Sequence, residues 1–162
     1  MIPVICIVAA VSNMGKTTFM EKIIAEMVER GYRVGAVKSD SHGFEVDVPG
    51  KDSWRFRQAG ANVTAIVGNS QYAVIQKTDK KAELDEIVSV MRDVDLILVE
   101  GFKQARMPKI EVVRSELSSQ IVSDPKELIA IITDLKEETF PAPAFAFHDF
   151  SGVADLIVQK FL

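Results

Sequence analysis

The chain has 162 residues, 48% hydrophobic and 26% charged, with a formal net charge of −4, which is the size and composition of about one globular domain. The acidic balance excludes a surface that attracts nucleic acid or anionic lipid as a whole, so any basic site must be local. The single cysteine, Cys6, excludes a disulfide framework or a CxxC metal site within one chain.

In chain order, Ile2–Ala10 is a continuous apolar run, the signature of a strand covered on both faces. It has no basic flank and runs into Gly-Lys-Thr instead of a cleavage site. No apolar stretch approaches the roughly 20 residues needed to span a bilayer, so the expected location is the cytoplasm. Thr17–Arg30 is predicted helical: Phe19, Met20, Ile23, Ile24, Met27 and Val28 recur at spacings of three and four, and Gly31 suits the C-terminal cap. Tyr32–Lys38 is the next strand. Residues 39–50 carry glycine and proline breakers and no period, predicting a loop, and Asp52–Gln58 a short helix ended by Gly60. Val63–Val67 and Tyr72–Gln76 flank Gly68-Asn69-Ser70, a hairpin composition that implies antiparallel pairing. Then come a helix over Ala82–Met91, strands at Leu96–Val99, Ile110–Val113, Ile129–Thr133 and Ala144–Phe147, and a closing helix over Val153–Phe161. Strand–helix alternation of this kind predicts an α/β protein, three-layer and mostly parallel with one antiparallel hairpin, as a single domain over residues 1–162.

The first strand-to-helix connection carries the strongest chemical signal. Ala10-Val11-Ser12-Asn13-Met14-Gly15-Lys16-Thr17 fits the phosphate-loop pattern G-x-x-x-x-G-K-S/T with only its first glycine changed, and Ala is tolerable there if residue 10 keeps a strand-like φ. A buried strand before the loop and a helix after it supply free backbone N–H groups and the dipole end that favours an anion. On this reading the amides of Ser12, Asn13, Met14, Gly15, Lys16 and Thr17 cradle phosphates. Lys16 reaches the β- and γ-oxygens, Thr17 ligates Mg²⁺, and Thr18 touches the α-phosphate.

A Mg²⁺-nucleotide site also needs a carboxylate at the C-terminal end of a neighbouring strand. In Val94-Asp95-Leu96-Ile97-Leu98-Val99-Glu100-Gly101 the two acids lie about 16 Å apart, and only Glu100 is at the loop's end of the sheet. Glu100 is therefore the expected metal-side acid. Asp40, just past the Tyr32–Lys38 strand, is a second candidate, as holder of a metal-bound water or as general base, with Lys38 and His42 beside it in sequence. His148 follows the last strand without a visible acid or nucleophile partner and reads as structural or solvent-facing. The cations of the 103–114 segment, Lys103, Arg106, Lys109 and Arg114, stand against Glu111 alone and suggest an anion cradle beside the Glu100 edge.

These motifs carry a resemblance. The phosphate loop, Val37-Lys38-Ser39-Asp40-Ser41-His42-Gly43-Phe44, the run from Pro49 to Ala61 containing Gly50-Lys51-Asp52-Ser53, and Leu96–Lys103 followed by Pro108-Lys109-Ile110-Glu111 are similar to the MobB family, the molybdopterin-guanine dinucleotide biosynthesis proteins B. The similarity covers roughly residues 4–114; Ala10 and Ser39 depart from the family's usual glycine and histidine. The resemblance implies a P-loop GTP-binding protein, a homodimer, and a partner guanylyltransferase that attaches GMP to molybdopterin, giving the guanine dinucleotide form of molybdenum cofactor. Asp134, at the end of Ile129–Thr133, then resembles the base-reading acid of GTP-binding proteins, since a carboxylate can accept from two guanine N–H groups, although the usual Asn-Lys-x-Asp context is absent. A slow GTPase and a nucleotide-dependent adaptor or metallochaperone-like protein without turnover are the two readings, with a small-molecule kinase third.

Overall fold

The computed structural model describes the whole chain except Ser41, His42, Glu137 and Glu138. Two compact units divide it: Met1–Ser39 with Leu84–Leu162, and Asp40–Glu83.

The first unit holds a six-stranded sheet. Its strands are β1 (Val4–Val8), β2 (Val34–Lys38), β5 (Leu96–Glu100), β6 (Lys109–Val113), β7 (Leu128–Thr133) and β8 (Ala144–Phe145), in the order β2-β5-β1-β6-β7-β8. Every neighbouring pair is parallel. Parallel strands need crossovers: α1 (Lys16–Glu29) lies between β1 and β2 and α3 (Leu84–Val90) precedes β5, whereas no helix among the described residues joins β5 to β6, β6 to β7 or β7 to β8, and α4 (Phe150–Phe161) closes the chain.

Alternation along the strands sorts the core into two faces. Ile5 and Ile7, with Leu96, Leu98, Ile110, Val112, Ala130 and Ile132, pack against Phe19, Met20, Ile23 and Met27 of α1 and Val153, Ala154 and Ile157 of α4. Val4, Cys6, Val8, Ile97 and Val99 meet Leu84, Val88 and Met91 on the α3 side. Both faces are dry, which is why these strands read as unbroken apolar runs. The result is the expected three-layer α/β/α architecture. Cys6 lies in this interior, where burial pushes its thiol up to about 11, leaving it unreactive.

Two element ends differ from expectation. The helix expected at Val153 begins at Phe150, because Asp149 caps it by accepting from the Gly152 N–H. The last strand stops at Phe145, since only Ala144 and Phe145 pair with β7, leaving Phe147 in the connection to α4.

The second unit contains α2 (Asp52–Gln58) and a hairpin of β3 (Val63–Val67) and β4 (Tyr72–Gln76), paired from Val63↔Gln76 to Val67↔Tyr72. The hairpin makes a separate two-stranded sheet instead of adding an antiparallel strand to the large one. Asp47 anchors the preceding loop, accepting from the Val48 N–H and the Ser53 hydroxyl.

Candidate functional site

The loop after β1 has the backbone of an anion cradle. Asn13 (φ 62) and Gly15 (φ 91) both sit in the left-handed region, which turns successive N–H groups toward one side. Gly15 is needed there because its φ is one that L side chains rarely adopt. Between them Met14 is fully buried and ties the loop to the core. Ala10 is not among the described non-glycine residues with positive φ, so its Cβ is compatible with the loop. Gly15 is also the N-cap of α1: it has no side chain to cap the helix, and no acid lies in the first turn. The helix therefore starts with unquenched N–H groups and the positive end of its dipole.

Opposite the loop stands Glu100, at the C-terminal end of β5 and the neighbour of β1. Its Oε2 accepts from the Thr17 hydroxyl at 2.9 Å. Its Oε1 accepts from the Lys38 ammonium at 3.1 Å, with the carboxylate side chain only 13% exposed. From the sequence Glu100 is expected at the loop's end of the sheet and Thr17 in the loop, and the structure adds their direct contact, the first of these two. The second follows from the placement of β2 beside β5, with Lys38 level with Glu100. Gly101 lets the chain turn here: its φ is 102, and a Cβ on it would lie 2.9 Å from the Ser39 Cβ. Asp95 occupies the far end of the same strand, where it pairs with Arg33 at 2.8 Å. The Arg33 side chain and backbone N–H bonds lower the Asp95 carboxyl to about 2.

On the other side of β1, the strand ends bring together Arg114, Asp134 and Phe147. Asp134 Oδ1 accepts from the Ser115 N–H at 2.8 Å and Oδ2 from the Ser115 hydroxyl at 3.1 Å. The Ser115 backbone bond is the main cause that holds the Asp134 carboxyl below its ordinary value, with smaller pulls from the Ser115 hydroxyl and the Arg114 charge. Arg114 Nη2 lies 3.3 Å from the point where a Cβ on Gly15 would stand. Its Cζ lies 4.5 Å from the centroid of the Phe147 ring.

The cradle expected over residues 103–114 needs correction at Lys109. That side chain is almost completely buried, and its ammonium donates to the Ala105 carbonyl and pairs with Glu127. A charge count along the chain cannot see this burial. Glu111 is likewise buried, accepting from the Val122 and Ser123 N–H groups. Lys103 and Arg106 are exposed. Asp40 is the exposed first residue of the second unit. His148 is exposed, and His42 lies outside the described residues.

A family model described as molybdopterin guanine dinucleotide synthesis protein B, MobB, matches residues 4–134. The chain belongs to the MobB family. It is 36% identical over 166 residues to the molybdopterin-guanine dinucleotide biosynthesis adapter protein of Escherichia coli, covering 98% of this chain and 93% of that one. The adapter protein of Haemophilus influenzae is 36% identical over 125 residues, 76% of this chain and 70% of that one. Among solved structures, MobB of Bacillus subtilis superposes with a TM-score of 0.78 at 29% identity, over 99% of this chain and 98% of that chain.

The loop, Thr17 and Glu100 are candidate site residues legible from local sequence alone. Lys38 could be weighed only by its place at a strand end, and Phe147 reads simply as part of a strand. Their roles depend on which strands become neighbours. No helix among the described residues is long and apolar enough to cross a membrane.

Proposed function

We propose that this chain acts as an adapter in molybdopterin guanine dinucleotide biosynthesis, as its MobB relatives are named, and that it binds GTP with Mg²⁺ in the loop of residues 10–18. The observation that carries the nucleotide reading is the Thr17–Glu100 contact at the loop's mouth. These two hard oxygen donors stand 2.9 Å apart, which is also the spacing of adjacent oxygens around an octahedral Mg²⁺ with bonds of about 2.1 Å. The residues present thus fit a Mg²⁺ ion: Thr17 and Glu100 would hold it, directly or through water. When bound, Mg²⁺ supplies positive charge to the β- and γ-phosphate oxygens. Lys38 balances the Glu100 charge and fixes its rotamer. The N–H groups from Ser12 to Thr18 take the phosphate oxygens, and Lys16 adds the one side-chain cation within the loop. Asp134 is a candidate base-reading acid, since each of its oxygens keeps one lone pair after bonding Ser115.

An adapter needs state-dependent binding more than turnover, and the name of the relatives favours that reading over a GTPase with a dedicated function. Homodimer formation belongs to the same proposal. A two-stranded hairpin is marginal alone in water, and here Val67 and Tyr72 are 80% and 75% exposed, an apolar surface suited to a second copy.

Calorimetry on Lys16→Ala tests the nucleotide reading. The variant should keep its fold, because Lys16 is the first residue of α1 and not one of its buried residues, and should lose GTP binding. Affinity within about threefold of the parent chain would remove the phosphate-loop assignment.

A further inference from the structure

The C-terminal ends of β1, β6, β7 and β8 lie side by side in that order. From β1 the chain winds toward β2 at one edge, and from β6 toward β7 and β8 at the other. The β1–β6 boundary is therefore where the winding reverses, the place where an open parallel sheet leaves a crevice beyond its strand ends. Arg114 is the first residue past β6, and its guanidinium spans this crevice. Its Nη2 lies 3.3 Å from where a Cβ on Gly15 would stand, and its Cζ lies 4.5 Å from the centroid of the Phe147 ring. Asp134, the first residue past the intervening strand β7, is oriented by Ser115, the residue next to Arg114. Two strand spacings, about 10 Å, separate β1 from β7, comparable to the reach of a nucleotide from its β-phosphate to its base.

The fold alone does not account for Arg114. It forms no ion pair among the described residues. It is half-buried, and Phe147 beneath it packs against the main core. A guanidinium held on a ring is a flat, weakly hydrated surface that accepts a second aromatic plane.

We propose that Arg114 and Phe147 form the stacking platform for the nucleobase of the nucleotide whose phosphates occupy the loop. The proposal deepens the nucleotide reading above and rests on it. Stacking tolerates any base, because every base has a π-face. The platform would therefore supply affinity for purine nucleotides in general, and any choice between them would fall to a group such as Asp134.

Calorimetric titrations of the full chain with Mg²⁺ and either GTP, ATP or inorganic tripolyphosphate separate base from phosphate contacts. Arg114→Lys keeps the charge and removes the plane. It should weaken GTP and ATP alike, by about tenfold or more, and leave tripolyphosphate within about threefold. Phe147→Leu should do the same, and Phe147→Tyr should restore the parent affinities, which guards against misfolding of the leucine variant. A parallel loss of tripolyphosphate affinity in Arg114→Lys would make Arg114 a phosphate contact and overturn the platform. Unchanged affinity for both nucleotides in Arg114→Lys would overturn it too, with the loop assignment intact. If the parent chain binds neither GTP nor tripolyphosphate, the nucleotide reading and the platform fall together.

Discussion

Replacing Glu100 by Gln separates the metal-side chemistry of the site from its fold. In the structure the carboxylate accepts from Thr17 at 2.9 Å and from Lys38 at 3.1 Å. A Gln side chain of the same size can keep its carbonyl toward Lys38 and turn its amide toward the Thr17 oxygen, so the hydrogen-bond count survives and only the charge is lost. Lys38 is 58% exposed, and an ion pair that solvent reaches contributes roughly 1 kcal/mol or less. The melting temperature should thus fall by no more than about 4 °C for a chain of this length. The metal-dependent quantity should change far more. Loss of an outer-shell partner alone typically costs about 10–100-fold in metal affinity or activity, so with Glu100 holding the ion directly or through water the Mg²⁺ needed for half-maximal GTP binding should rise by at least about tenfold. Any GTP hydrolysis should fall by about a hundredfold or more. Mg²⁺ titrations of GTP binding, with a phosphate-release assay beside them, read both quantities. Asp95→Asn is the control at the far end of the strand and should alter neither. A Glu100→Gln variant with the parent Mg²⁺ titration and rate would show Glu100 to be an ordinary strand-end acid paired with a lysine.

Asp134→Asn should weaken GTP about tenfold and ATP little, with improved binding of xanthosine triphosphate, because the amide presents a donor where guanine also has one; equal losses for GTP and ATP, by competition titration, would restrict Asp134 to holding Ser115. Glu111→Gln keeps one acceptor oxygen but sets its amide donor against either the Val122 or the Ser123 N–H donor at a buried site, which should cost about 2 kcal/mol. Scanning calorimetry should then show a melting temperature lower by about 4–8 °C, and an unchanged value would contradict the buried-carboxylate account. The Asp95 carboxyl is depressed in the folded chain, so its stabilising effect is present above its ordinary value of 3.8 and is lost as pH falls toward about 2. Urea midpoints for Asp95→Asn should show a shallower loss across that window, and a loss as steep as the parent's would dissociate Asp95 from acid sensitivity.

Much of the architecture was legible because its signals are local. Continuous apolar runs mark strands buried on both faces, and the spacing of Phe19, Ile23 and Met27 marks the buried face of α1. The strand and helix that a phosphate-loop motif requires on either side of residues 10–17 are both present, as β1 and α1. Apolar periodicity marks α4 only from Val153, three residues late, because the helix starts at the Asp149 cap, a polar signal. The hairpin composition predicted its antiparallel pairing, but nothing in β3 or β4 says that the pair would stay apart from the large sheet. Lys109 reads as part of a solvated basic segment for a related reason: sequence reports its charge, while its burial goes with the Ala105 carbonyl and Glu127 that its ammonium meets. The Lys38–Glu100 and Arg114–Phe147 contacts join residues from strands far apart in sequence. They become visible only once the order β2-β5-β1-β6-β7-β8 is known.

The most direct test of the central claim, a Mg²⁺-dependent GTP site at the β1–α1 loop, is calorimetric titration of the unmodified chain with GTP, once with Mg²⁺ and once with a chelator. The site predicts one GTP per chain and an affinity at least about tenfold higher with Mg²⁺. Absence of GTP binding under both conditions, or an affinity indifferent to Mg²⁺, would contradict it.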